Sequence, residues 1–181
     1  TITLSETADL VERKIAPNRS LRDVKETEAH AELFLQMLEE RKSPSFPLLL
    51  EWHERLFGAT KRDIAGTLRE YPVRVGAYRA PDWQNVQELL KQLFMFFEKN
   101  SDLHPIELAA RIHYRFEKIH PFGDGNGRAG RLLMNAILWN AGFPILIIEY
   151  KKRKSYYHAL GKDEEKFVDY FIRRFLSAHK E

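Results

Sequence analysis

The chain has 181 residues, 44% of them hydrophobic and 30% charged, which is enough for one domain with a real core and too few for two. A net charge of +3 and a pI near 9.0 suit an anionic small ligand or an acidic surface and give no case for nucleic acid. With no cysteine, disulfides and thiolate metal sites are excluded, and no apolar run approaches the ~20 residues a membrane helix needs, so the expectation is a cytoplasmic protein with no membrane partner.

The predicted elements are overwhelmingly helical. Ser5 is placed as the N-cap of a short helix carrying Leu10 and Val11. A longer helix opens at Leu21, with Val24, Leu33, Phe34, Met37 and Leu38 on its apolar face. Two prolines mark 43–47 as a loop, and 48–57 reads as a short buried helix stopped by Gly58. Periodicity then fades, and 71–78, Tyr-Pro-Val-Arg-Val-Gly-Ala-Tyr, carries the alternation of a hairpin.

Asp82 is read as an N-cap, ahead of a stripe of Val86, Leu89, Leu90, Leu93, Phe94 and Phe97. Pro105 opens the next helix, which ends at His120. A further helix is expected over 128–141, apolar nearly all round and so central, with Gly142 as its stop. Segments 154–160 and 164–178 supply the last two. The fold class is therefore all-α, a bundle with one small β-hairpin, in a single domain over 1–181.

The chemistry concentrates in 120–131, His-Pro-Phe-Gly-Asp-Gly-Asn-Gly-Arg-Ala-Gly-Arg. Gly123, Gly125 and Gly127 free the backbone just before a helix start, where unpaired N–H groups and the dipole favour an anion. Arg128 and Arg131, three apart, bring two planar forks to the same first turn. Asp124 offers a hard oxygen to Mg²⁺ bridging phosphates. His120, at the end of the preceding helix, has an ordinary pKa of roughly 6.5 and can take a proton near neutrality. A base, a metal ligand, an anion nest and two guanidiniums describe phosphoryl or nucleotidyl transfer. The spacing is not that of an EF-hand, a P-loop or a zinc hydrolase.

This segment resembles, at every defined position, the Fic family signature His-x-Phe-x-(Asp/Glu)-Gly-Asn-Gly-Arg-x-x-Arg. Ala-Gly-Thr-Leu-Arg at 65–69 resembles the family's segment before its flap hairpin, and Ser-Tyr-Tyr-His at 155–158 its nucleotide-side tyrosine pair. The opening 3–7, with 20–23, resembles the stretch after the inhibitory helix of one Fic class.

The resemblance implies a protein adenylyltransferase, with ATP as co-substrate and Mg²⁺ as cofactor, moving AMP to a Ser, Thr or Tyr hydroxyl. His120 would be the base and Asp124 the metal ligand. Gly125, Asn126 and Gly127 would cradle phosphates, Arg128 and Arg131 would neutralise pyrophosphate, and Phe122 would anchor the loop in the core. Val75, Gly76, Ala77 and Tyr78 would border the nucleotide from a flap that also takes the target protein as an added strand. Tyr156 and Tyr157 would line the adenine and ribose side, or else simply pack.

Arg69 is read either as a brace for the hairpin or as a surface arginine, and His113 as a packing histidine. The basic run 151–154 is read as a solvated loop. The chain opens at Thr1, not Met, and holds no complete Ser/Thr-x-x-x-Glu-Gly/Asn motif; the Ser-x-x-x-Glu spacing at 177–181 is taken as coincidence. A fragment lacking the inhibitory helix, and hence constitutively active, is the expectation. A homodimer stays open. The alternatives are a related phosphotransferase, an AMP-removing enzyme, or a nucleotide-binding module without catalysis.

Overall fold

The computed structural model describes residues 8, 9, 12 and 20–180. The expected cap at Ser5, Leu10 and Val11, segment 3–7 and Glu181 lie outside the described residues. Among those described, seven α-helices and one two-stranded antiparallel hairpin form the expected bundle.

Helix α1, Leu21–Glu40, starts at an N-cap Ser20 whose hydroxyl oxygen accepts from the Asp23 N–H at 3.1 Å. Leu33 and Met37 are its buried apolar contribution. Helix α2, Phe46–Phe57, begins earlier than the prolines suggest. Ser45 caps it, accepting from the Leu48 N–H at 3.3 Å, and Pro47 sits in the first turn, where a missing N–H costs nothing. Strands β1, Arg74–Val75, and β2, Tyr78–Arg79, pair Val75 with Tyr78 across a Gly76–Ala77 turn, one residue beyond the expected hairpin.

Helix α3, Val86–Lys99, follows a 3₁₀ turn at Trp83–Asn85. Asp82 does not cap it. Its carboxylate pairs with Arg79 at 2.9 Å instead, because the intervening turn carries it away from the helix start. Helix α4, Pro105–Ile119, and helix α5, Asn126–Asn140, flank the signature, the latter starting two residues before Arg128. Helices α6, Arg153–Leu160, and α7, Glu164–Ala178, close the chain.

Helices α4 and α5 are the axis of the molecule: α7 and α3 pack on α4, and α1 and α2 on α5. Leu132, Leu133, Ala136 and Leu138 of α5 are buried, as are Ala109, Ile112 and Phe116 of α4. Each large apolar side chain buried here contributes about 1.5–3 kcal/mol. The two helices approach closely where α5 carries Gly130, since a Cβ there would lie 2.8 Å from Glu117 Oε1 and 2.9 Å from the Phe116 ring. Arg111 of α4 ties α7 with ion pairs to Glu164 at 3.0 Å and Glu165 at 2.7 Å. No helix of the described residues is long and apolar enough to cross a membrane.

Candidate active site

His120 caps the C-terminus of α4 in the left-handed region, at φ 50° and ψ 61°. A non-glycine residue pays of order 1 kcal/mol or more for that conformation, so surrounding contacts must impose it. Arg69 is the main one. This arginine is 3% exposed, and it donates to the carbonyls of His120 at 2.8 Å, Tyr71 at 2.9 Å and Pro81 at 2.7 Å. Its backbone N–H also donates to the Pro121 carbonyl at 2.9 Å. Of the two readings of Arg69, the brace is the one observed, joining the root of the hairpin to the histidine. Burial, with the positive charge of Arg69 assisting, holds the His120 imidazole below its usual pKa, against a hydrogen bond to the Glu117 backbone. It is therefore neutral, and basic, at pH 7.

The turn after His120 is fastened from inside. Phe122 is fully buried, its ring stacked on His53 with centroids 3.7 Å apart and 8° between planes. His53 accepts from the Gly66 N–H at Nδ1 (3.1 Å) and so donates from Nε2 to the Asp124 carbonyl (3.0 Å). Asn126, 3% exposed, donates from its amide to the Phe122 carbonyl at 2.8 Å and accepts from the Phe122 N–H at 2.9 Å. Both ends of the side-chain amide are thus engaged within the turn, and the Asn126 backbone N–H stands at the helix start. Gly125 stands at φ +78°, and a Cβ there would meet the Phe57 ring at 2.3 Å, so no other residue fits. No side chain caps α5, whose first N–H groups thus keep the anion-binding character of a bare helix start.

Charge is arranged around this helix start as a closed cluster. Asp124 Oδ1 accepts from the Gly125 N–H at 2.5 Å, and Oδ2 pairs with Lys61 at 2.5 Å. Burial raises the pKa of Asp124, but Lys61, that N–H and Arg128 outweigh it and hold the carboxyl ionised below its usual range. Lys61 also reaches Glu26 at 3.1 Å, and Glu26, 5% exposed on α1, pairs with Arg128 at 2.8 Å. Arg128 and Lys61 both lie over the face of Phe57, at 4.6 and 5.0 Å.

The Arg131 guanidinium makes neither a hydrogen bond nor an ion pair within 4 Å to a described residue, and it folds back against Gly127, where a Cβ would meet Nη1 at 3.0 Å. Its field reaches Glu117 and His113 on α4, Tyr156 on α6 and His30 on α1. Burial raises Glu117 to about 7 against the opposing pull of Arg131, and burial with Arg131 and Arg128 lowers His30 to about 4. Glu117 Oε1 and His30 Nε2 are buried atoms without a hydrogen-bond partner.

The structure separates the two tyrosines. Tyr156 is 4% exposed and donates its hydroxyl to His113 Nε2 at 2.8 Å, while His113 Nδ1 donates to the Gly130 carbonyl at 3.0 Å. Tyr156 is thus core, as is His113, because the α4–α5 crossing offers it a buried acceptor; Tyr157, 60% exposed, alone presents its ring to solvent. In the hairpin, Val75, Gly76 and Ala77 are exposed, and Tyr78 is tethered by its hydroxyl to the Lys118 carbonyl at 2.9 Å. The run 151–154 is mostly exposed, with Lys151 paired to Glu149 at 2.7 Å.

Glu26, Lys61, His53, His30 and Glu117 were not picked out by sequence reasoning. Only Glu117, a charge on the buried side of an apolar helix three residues before His120, left a local signal.

A model of the Fic/DOC family matches residues 44–138, from the loop before α2 to near the end of α5, and so takes in the hairpin, Arg69 and the whole signature. The chain belongs to the Fic/DOC family. The chain is 36% identical over 180 residues to the protein adenylyltransferase Fic of Nematostella vectensis, an alignment covering 96% of the chain and 42% of that relative. It therefore spans less than half the length of that protein. Among solved structures, Fic-1 of C. elegans superposes with a TM-score of 0.84 at 30% identity, covering 98% of this chain and 56% of its own. A Fic family protein of Desulfovibrio desulfuricans gives 0.86 at 28%, covering 98% and 58%. In Fic terms, β1–β2 is the flap and 120–131 the Fic motif.

Among the described residues no group of three or more His, Asp or Glu side chains could hold a metal by itself. The donor set nonetheless fits Mg²⁺, which is typically held by one or two carboxylates with the rest of its shell from phosphates and water. Asp124, held ionised and paired with a cation, would be such a carboxylate.

Proposed function

We propose that this domain transfers AMP from Mg-ATP to a hydroxyl side chain of a target protein and releases pyrophosphate. One observation carries the reading: a neutral, rigidly held imidazole and an uncapped helix N-terminus stand at the two ends of one braced turn, with Arg131 left without an acid partner within bonding distance.

In this reading His120 takes the proton of the incoming hydroxyl as its oxygen attacks the α-phosphorus, and the bond from that phosphorus to the pyrophosphate oxygen breaks. The backbone N–H groups of Asn126 and Gly127 meet the negative charge spread over the phosphate oxygens, donors that need not reorganise during the reaction. Arg131 meets the departing pyrophosphate, and Arg128 does so from its place beside Glu26. Asp124 would hold Mg²⁺, which when bound neutralises phosphate charge. The flap presents Arg74–Val75 and Tyr78–Arg79 as short strands with free edges, to which a target segment adds by main-chain bonding. Val75 to Tyr78 border the nucleotide on one side, and the exposed ring of Tyr157 offers a stacking face on the other.

The test is incubation with Mg²⁺ and ATP labelled on the α-phosphate, beside ATP labelled on the γ-phosphate and a His120→Ala control. Protein labelled from the α-phosphate alone, and lost with His120→Ala, is the expected outcome. Label from the γ-phosphate would replace AMP transfer with phosphate transfer, and nucleotide binding without label in the presence of candidate targets would reduce the domain to a binder.

A further inference from the structure

Asp124 has two oxygens, and both are engaged. Oδ1 accepts from the Gly125 N–H, a backbone donor inside the turn pinned by Asn126 and His53, and that bond can be lost only by opening the turn. Oδ2 holds the Lys61 ammonium at 2.5 Å. Lys61 lies just past α2, its backbone fixed by a bond from its N–H to the Phe57 carbonyl at 2.7 Å, but its side chain is 23% exposed and can swing by rotamer changes alone. A metal approaching Asp124 therefore competes first with Lys61, the one cation in hydrogen-bond contact with the carboxylate; the Arg128 guanidinium stands farther off, 3.9 Å from Oδ1, and is held by Glu26.

We infer that Lys61 is a resident cation at Asp124, a competitor that a divalent metal displaces, and that it sets the metal concentration at which the domain takes up nucleotide. The cluster supports this by its balance. Two carboxylates, Asp124 and Glu26, are matched by two cations, Lys61 and Arg128, all within ion-pair reach of a neighbour. Removing Lys61 leaves one excess negative charge facing the seat of the metal, whereas its retention makes entry an exchange of cations. Glu26, bonded to Lys61 at 3.1 Å, is the station to which the displaced ammonium retires, so the exchange leaves no carboxylate bare. The inference rests on the reading of Asp124 as the metal-binding carboxylate under Proposed function.

Two titrations test it on the wild type, Lys61→Met, Lys61→Gln and the charge-keeping Lys61→Arg, each first shown to unfold cooperatively. One follows Mn²⁺ alone by its electron-spin signal; the other follows the Mg²⁺ dependence of binding of α,β-methylene ATP, which cannot be cleaved at the α–β bond. Lys61→Met and Lys61→Gln are expected to need about 3- to 10-fold less metal in both, the scale of losing one partly exposed ion-pair competitor. Lys61→Arg stays near wild type, and Asp124→Asn abolishes the difference. Equal or weaker metal binding by the uncharged variants overturns the inference. Tighter Mn²⁺ binding without any nucleotide binding would sink the proposed function and leave the inference standing.

Discussion

Arg69 donates its Nε–H to the carbonyl of His120 at 2.8 Å, and one side chain thereby holds the root of the flap to that histidine. Nothing in the spacing of Ala-Gly-Thr-Leu-Arg distinguishes it from a surface arginine. Its burial follows from the hairpin, which folds the Tyr71 and Pro81 carbonyls toward it.

Arg69→Met should lower stability by about 3–5 kcal/mol, since four carbonyls, those of His120, Tyr71, Pro81 and Ile119, lose a charged donor in a buried setting. Arg69→Lys should recover less than half, because an ammonium cannot reproduce the planar fork. Urea unfolding of the three proteins reads this directly.

AMP transfer should stay on its plateau as pH falls through 6.5. Burial holds the folded His120 below its ordinary value, so the imidazole remains a neutral base where a free histidine is already half charged. The acid limb of kcat against pH therefore lies below 6.5; a limb at or above it would mean that the buried environment does not act on the base during turnover.

Asn126→Ala should cost about 2–4 kcal/mol, leaving the Phe122 N–H and carbonyl both buried and unpaired. Asn126→Asp keeps the acceptor and loses the donor, and should fall between. Chemical unfolding checks the order, and nucleotide binding should weaken with it, because the turn that loosens is the one that shapes the anion site.

Much of this was legible locally. The stretch 120–131 carries its own helix start and the candidate site residues, and the apolar periodicity of α1 and α3 placed their buried faces. What stayed hidden arrives from far along the chain: Glu26 meets Arg128 across 102 residues and Lys61 meets Asp124 across 63, separations at which spacing carries no information. The two bonds of the Asn126 amide to Phe122 are hidden for a related reason, since sequence does not say which way a polar side chain in a turn faces.

Glu117→Gln should stabilise the domain at neutral and alkaline pH. Burial raises the folded pKa of Glu117 to about 7, above its unfolded value, so the wild type binds the extra proton more tightly folded than unfolded between those limits. Its contribution is fully present at low pH and is lost as pH rises to 7. The variant lacks this loss and should gain about 1–3 kcal/mol over wild type from pH 5 to 8. Thermal melts across that range measure it, and a constant difference would show that Glu117 is ionised throughout.

Gly130 sets a length. Helix α5 rests against Phe116, His113 and Glu117 of α4 at a point where it has no side chain. His120 hangs from the end of one helix and Asn126 opens the other, so this notch fixes how far apart those two helix ends stand. A methyl group placed there would force the helices apart and widen the gap between His120 and the bare N–H groups at the start of α5.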